Sequence, residues 1–179
     1  MMETWVALLR GINVGGKHLL PMRQLVQYCE LLNCQNVRTY IQSGNVVFQA
    51  TKHTAKSIDR ELAHTIYTQH GFSPQVLVLS KTAFQKKLSA NPFADEEPKY
   101  VHLFFGLERI TEPDLERLES LKAPSEQFAI LRSDIYLFAP LGIGRSKLAS
   151  RLGSCVKVES TARNMNTLLA LTNILNAST

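Results

Sequence analysis

Apolar residues along this chain switch between two spacings, and the switching follows the same order twice. "TWVALLR", residues 4–10, is a near-continuous apolar run that predicts a strand buried on both sides. Pro21 then stands at the first turn of a predicted helix whose stripe is Met22, Leu25, Val26, Cys29 and Leu32. "VRTYIQ" and "NVVFQ" are β-rich runs on either side of Ser43-Gly44, a hairpin signal. Ile58, Leu62 and Ile66 recur at four-residue spacing and predict a helix from about Ala55 to His70, with Gly71 ending it. "PQVLVLS" predicts the fourth strand of the set.

Residues 81–98 read as a connector: a short helix around Phe84 and Leu88, then "NPFADEEP", where prolines and acids interrupt regular structure. The pattern then restarts. "YVHLFFGL" predicts a strand, and Thr111 with Asp114 predicts a capped helix start, Ile110 and Leu115 being spaced as a hydrophobic staple. "QFAILR" and "IYLFAP" flank Ser133-Asp134 as a second hairpin. "GIGRSKLASRLG" predicts a short helix capped by Ser146 and stopped by Gly153, and "CVKV" a last strand. "TARNMNTLLALTNIL" predicts a terminal helix with Thr161 as cap and Met165, Leu168, Leu169, Thr172 and Leu175 inward.

Each set is βαββαβ, the split βαβ unit of ferredoxin-like domains. The expected class is therefore α+β: two ferredoxin-like halves packed into one compact body. Residues 1–80 would form the first half, 81–98 the connector, and 99–179 the second half with its C-terminal helix. The repeat is one of architecture, without sequence self-similarity.

Composition adds little to that picture, but charge distribution adds something. The formal net charge is +5, and it is uneven: residues 1–90 carry ten Lys and Arg against four acids, whereas 91–179 carry ten against eleven. From Arg132 onward six basic residues face two acidic ones, so basic character sits at both ends of the chain. Merged on one face it would attract anions; scattered, it is ordinary solvated charge. No apolar stretch approaches a membrane span, and the start lacks the pattern of a signal peptide, which leads us to expect a cytoplasmic protein with no membrane association. Cys29, Cys34 and Cys155 lie in apolar periodic segments and are odd in number, which predicts buried reduced thiols.

"GINVGGKHLL", residues 11–20, matches G-x-x-x-x-G-K, the spacing of a phosphate-cradling P-loop. Three features argue against nucleotide hydrolysis. His18 stands where a Ser or Thr would hold Mg²⁺. Pro21 starts the helix four residues too late to aim its N–H groups at a phosphate, and the split βαβ order differs from the run of parallel βα units of such enzymes. Two readings of the glycines remain: a nest of N–H groups beside Lys17 that binds an anion, or a tight crossover needing positive φ.

"ALLRGINVGGK", "VRTYIQSGNVVF", "GIGRSKL" and "TARNMNT" together resemble the bacterial proteins grouped as domain of unknown function 1697, in the right order and over nearly the whole chain. The resemblance implies two ferredoxin-like halves and no established activity or cofactor. The motif residues it singles out are Arg10, Asn13, Gly15, Gly16 and Lys17; Ser43 and Asn45; Arg145, Ser146 and Lys147; and Arg163, Asn164 and Thr167. The family's last motif usually carries Trp where this chain has Met165. Position 165 falls on the apolar stripe of the terminal helix, which favours a core role.

The remaining chemistry is sparse. His18, His53, His64, His70 and His102 show no metal spacing, His64 and His70 reading as helix-surface residues. Cys29 and Cys34 lack a histidine at a ligand interval, so no metal is expected. Trp5, Phe48 and Tyr40 with Arg38 are the only aromatic platforms for RNA on a split βαβ sheet, and the K/R-G-F-G-F-V-x-F run is absent. Arg163 and Asn164, in the first turn of the predicted terminal helix, suit a phosphate or carboxylate. Lys147 and Arg151 are like charges one turn apart, mildly unfavourable without an anion nearby. The reading that follows is an anion site near the junction of the halves, made from Arg10, Asn13, Gly15, Gly16, Lys17, Ser43, Asn45, Arg145, Lys147, Arg163 and Asn164. Its ligand would be a phosphorylated small molecule, a nucleotide or a nucleic-acid backbone. The alternative is an enzyme on a phosphorylated or carboxylated metabolite, with Ser43, Asn45 or His18 handling protons.

Overall fold

The computed structural model describes residues 1–177. Its contacts divide the chain into two compact units: Met1–Leu88 with the chain from Leu169 onward, and Ser89–Leu168.

The first unit runs β1 (Met2–Leu9), α1 (Met22–Leu31), β2 (Gln35–Tyr40), β3 (Asn45–Thr51), α2 (Lys52–Ala55), α3 (Ile58–His70), β4 (Val76–Ser80) and α4 (Lys81–Ser89). Its four strands form one antiparallel sheet in the order β2-β3-β1-β4. Strand alternation puts Trp5, Ala7 and Leu9 of β1 on one face with Val46, Phe48 and Ala50 of β3. That face packs against Leu25 and Cys29 of α1 and Ile58, Leu62 and Ile66 of α3. Each fully buried Leu or Ile is worth roughly 1.5–3 kcal/mol, so the two helix stripes hold the layer together. α1 ends in a Schellman turn: Asn33 takes φ +63, and the Cys34 N–H reaches back to the Cys29 carbonyl at 3.0 Å. α3 ends at Gly71, φ +75.

The second unit repeats the plan with a 3₁₀ turn (Pro98–Tyr100), β5 (Val101–Gly106), α5 (Leu115–Leu121), β6 (Gln127–Leu131), β7 (Asp134–Phe138), a 3₁₀ turn (Ile143–Arg145), α6 (Lys147–Val156) and β8 (Ser160–Asn164). The sheet is again antiparallel, in the order β6-β7-β5-β8. Phe104, Ile135 and Leu137 pack under Leu118 of α5 and Leu148, Leu152 and Cys155 of α6. α7 (Met165–Ala177) starts in this unit. Its last turns belong to the first unit, where the Lys81 ammonium donates to the Leu175 carbonyl at 3.3 Å. The fold is α+β with two ferredoxin-like halves.

The halves match in detail. The Leu9 N–H bonds the Gly44 carbonyl at 2.8 Å, and the Gly106 N–H bonds the Ser133 carbonyl at 3.0 Å. The Arg10 N–H bonds the Gln75 carbonyl at 2.9 Å, and the Leu107 N–H bonds the Glu159 carbonyl at 2.9 Å. In each half one glycine permits this close approach of the first strand to the hairpin turn. A Cβ on Gly44 would lie 2.7 Å from Leu9 Cβ; one on Gly106 would lie 2.1 Å from the Ser133 oxygen.

Several expectations need correction, most of them after residue 110. Asp114, not Thr111, caps α5, its carboxylate accepting from the Arg117 N–H at 3.0 Å. Ser146 caps α6 as expected, but the helix runs through Gly153 to Val156, and Lys157 at φ +55 ends it. Cys155 and Val156 are thus helical, because they continue the buried stripe of Leu148 and Leu152. The last strand is β8, "STARN", so Arg163 and Asn164 lie on a strand and Thr161 is no helix cap. On α7 Leu171 is buried and Leu169 exposed. The helix predicted from Ala55 to His70 is α3, which starts at Ile58 after a separate turn of helix, α2, that ends at Ala55; Pro21 sits just before α1 as its N-cap. The second hairpin turns one residue earlier, at Arg132-Ser133 between the paired Leu131 and Asp134. Trp5 and Phe48 lie on the helix-covered face and offer no platform for bases. His70 is not simple surface decoration: its Nε2 lies 2.9 Å from the Tyr28 hydroxyl. Met165 is buried, as its place on the stripe predicted, and Cys29, Cys34 and Cys155 are buried free thiols.

Candidate functional site

The motif residues of the first unit gather at one end of its sheet, where β1 leaves for α1, β2 turns into β3 and α3 leads into β4. The loop 10–20 is a small structure in itself. Val14 and Lys17 bridge, and the Lys17 N–H bonds the Val14 carbonyl at 3.0 Å. Gly15 and Gly16 sit between them at φ +56 and +73, the two positive angles of a type I′ turn. The glycines therefore turn a finger, and α1 begins only at Met22.

Asn13 fastens this finger to the neighbouring turn. Its Nδ2 donates to the Leu20 carbonyl at 2.9 Å and the Gln42 carbonyl at 2.8 Å, and its Oδ1 accepts from the Leu20 N–H at 2.8 Å. At φ +54 it is one of the few non-glycine types that tolerate this backbone. Asn45, fully buried, donates to the Tyr40 carbonyl at 3.1 Å and to Ser43 Oγ at 2.9 Å. An amide cannot take up a proton, so this contact does not activate Ser43 as a nucleophile. His18 Nδ1 lies 3.0 Å from the Gly11 carbonyl, and its ring stacks on Phe72 at 4.7 Å. The Arg10 guanidinium donates to Gln75 Oε1 at 2.9 Å. Gln42, Phe72 and Gln75 are thus part of the site, although no spacing in the sequence marks them; only the folded sheet brings them to Asn13, His18 and Arg10.

Outward from these anchors the finger is exposed. Val14 and Leu19 are 66% and 64% exposed, and no residue among those described pairs with the Lys17 ammonium. No atom lies within 4 Å of where a Cβ on Gly15 or Gly16 would stand. Beside it Ile41, a β-branched residue, is held at φ +49 and is 51% exposed. This is the least comfortable backbone position in the unit.

The other motif residues belong to the second unit, at the end of its sheet where β5 starts. Arg145 and Lys147 flank the Ser146 cap of α6 and are exposed. Asn164 Nδ2 donates to the Lys99 carbonyl at 2.7 Å and lies 3.2 Å from His102 Nε2, while its Oδ1 accepts from the Asn166 N–H at 3.0 Å. Arg163 is buried, donating to Thr161 Oγ1 at 2.9 Å and the Ala162 carbonyl at 2.8 Å. Desolvation pushes its pKa down to about 10, which leaves it charged at neutral pH. Burial likewise lowers His102, whose Nδ1 is buried without a partner.

A model of the family described as "Protein of unknown function (DUF1697)" matches residues 2–136. The chain belongs to this family. The match covers the first two motifs, whereas "GIGRSKL" and "TARNMNT" lie beyond it. The conserved bacterial protein SP0830 from Streptococcus pneumoniae is similar over 98% of this chain and 99% of its own, at 24% identity and a TM-score of 0.72, a likeness of fold. A proposed glycine cleavage system transcriptional repressor aligns over 91% of this chain and 97% of its own, at 9% identity and a TM-score of 0.28, too low to bear on fold or function. No curated protein matches the chain.

The second unit carries a groove that no motif in the sequence marks. It is an open groove of about 520 Å³ lined by Gly106, Leu107, Glu108, Arg109, Arg132 and Ser133. It lies at the end of the second sheet opposite Asn164, since β5 pairs His102 with Asn164 at one end and Gly106 with Ser160 at the other. The repeat held the signal: these loops occupy the places that 10–20 and 41–44 hold in the first half. Among the described residues no group of His, Cys, Asp and Glu could hold a metal ion, and no helix is long and apolar enough to cross a membrane.

Proposed function

We propose that this DUF1697 protein binds a phosphate-bearing ligand at the finger loop of its first unit, with Lys17 and Arg10 as the cations that meet it. The observation that carries this reading is the contrast within the loop. Asn13, His18 and Arg10 are fastened to neighbouring segments, while Lys17 is left unpaired beside two glycines with open space around them. A preorganised loop loses little entropy when a ligand arrives, and bare glycine backbone lets an anion come close to N–H groups. Ile41 supports the same location, because backbone strain at an exposed turn tends to accompany function.

Thermal unfolding against phosphate, mononucleotides, dinucleotide cofactors, phosphosugars and a short single-stranded oligonucleotide tests the reading. A ligand at 100 times its Kd adds about 2.7 kcal/mol, a rise of roughly 5–10 °C in a chain of this size. The Arg10→Ala/Lys17→Ala variant should lose that rise. An equal rise in the variant refutes the site, and a rise with the oligonucleotide alone that fades with salt identifies a nucleic-acid backbone as the ligand.

A further inference from the structure

We propose that the cleft of the second unit is a separate oxyanion site, with Arg109 and Arg132 as its two recognising groups and a small phosphate or phosphate ester as its ligand. The proposal stands whether or not the finger loop of the first unit binds anything. Its basis is the lining: two arginines, Arg109 and Arg132, stand against the single acid Glu108, above Gly106 and Ser133, whose backbones are bonded to each other. Neither arginine side chain has a hydrogen-bond or ion-pair partner among the described residues, so both forks are available to a ligand. The groove, about 520 Å³ and open to solvent, has room for a small anion held at the surface. The planar guanidinium fork can donate two parallel hydrogen bonds to two oxygens of one phosphate, which a lysine cannot.

Arg132 makes the case specific. It sits at φ +61, where glycine would be conformationally cheaper, so the turn itself gives no reason for an arginine. Its backbone is fixed on both sides: the Ile110 N–H bonds its carbonyl at 2.9 Å, and the Gly106 N–H bonds that of Ser133 at 3.0 Å. Arg132 therefore lines the groove from a fixed backbone, with an exposed side chain.

The test is a titration of the full-length, ¹⁵N-labelled protein with pyrophosphate, followed by NMR at the amides of Leu107, Glu108, Arg109 and Arg132 and at the arginine Nε–H signals. Saturable shifts confined to these groups are expected. Arg109→Gln and Arg132→Gly should each weaken binding about tenfold or more, the range for losing one charge-assisted contact. Arg132→Gly suits the turn, so its thermal stability should equal or exceed that of the natural chain, which separates lost binding from lost folding. Lys17→Ala should leave these shifts untouched. No saturable shift at the cleft, unchanged affinity in the Arg109→Gln/Arg132→Gly protein, or shifts spread over every basic residue and erased by moderate salt would each overturn the proposal.

Discussion

Gly44→Ala tests whether the close approach of β1 to the β2–β3 turn is as tight as the geometry indicates. The new methyl would stand 2.7 Å from Leu9 Cβ and 2.9 Å from Ile12 Cδ1, on a residue at φ +72. Two costs add. An L-residue in the left-handed region loses roughly 1–2 kcal/mol against glycine, and forcing a methyl into packed core costs roughly 1–3 kcal/mol more. Leu9 Cβ belongs to the first atom beyond the backbone and cannot swing aside, so a total near 3 kcal/mol is expected by these principles. Gly15→Ala is the internal control: its φ is +56, but nothing lies within 4 Å of the added carbon, so only the backbone cost applies. Trp5, the single tryptophan, packs in the first unit's core and donates to the Ala50 carbonyl, which makes its fluorescence a reporter of that unit alone. With an m-value of about 1.5 kcal/mol/M, Gly44→Ala should lower the urea midpoint by about 2 M and Gly15→Ala by about 1 M or less. Equal shifts in the two variants would show that the approach at Gly44 relaxes freely and that the packing argument is wrong.

Three further outcomes are expected. Asn13→Ala removes three hydrogen bonds at roughly 1 kcal/mol each; hydrogen exchange at the Leu20 amide should accelerate, and Asn13→Gly should recover only the backbone part of the loss. His102 is held below its ordinary pKa of 6.5 by burial, so the unfolded chain takes up a proton there before the folded one does. Its contribution is thus complete above 6.5 and is lost as pH falls through the window beneath it. Stability measured by far-UV circular dichroism should drop less over that window in His102→Gln. Burial raises both Cys29 and Cys34, the latter to about 11; with all three thiols buried, a thiol reagent at pH 8 should label none in the native protein and all three in urea. Rapid native labelling at Cys29 would contradict the packing of α1.

The finger loop and the second-unit cleft occupy corresponding places in the repeat but present different side chains. At the first, two glycines and a lysine project from a loop fastened by an asparagine. At the second, two exposed arginines line an open groove. Duplicated scaffolds permit this because the sheet fixes where loops emerge while leaving their side chains free to differ.

Periodicity alone determined the first half well. Ile58, Leu62 and Ile66, or Leu25 and Cys29, declare a buried helix stripe locally, since a 3.6-residue repeat needs no distant partner to be seen. Gly15-Gly16 and Gly71 likewise declare positive φ through their own lack of a Cβ. The second half is less legible in its sequence, and β8 shows why. "STARN" has no strand pattern of its own, and it is a strand because His102, Leu103 and Phe104, some sixty residues earlier, offer β5's free edge. Gly153 carried a stop signal that was overruled because Cys155 and Val156 gain burial by staying helical. Arg163 and Asn164 moved with that shift, from a helix start to a strand where both are held by neighbouring groups. The cleft was illegible for the same reason: Arg109 and Arg132 are unremarkable loop residues until β5 and β7 pair and bring their turns together. Local patterns determine which segments are helix or strand wherever burial is periodic; only long-range pairing decides which loops meet, and the candidate sites of this protein are made of loops.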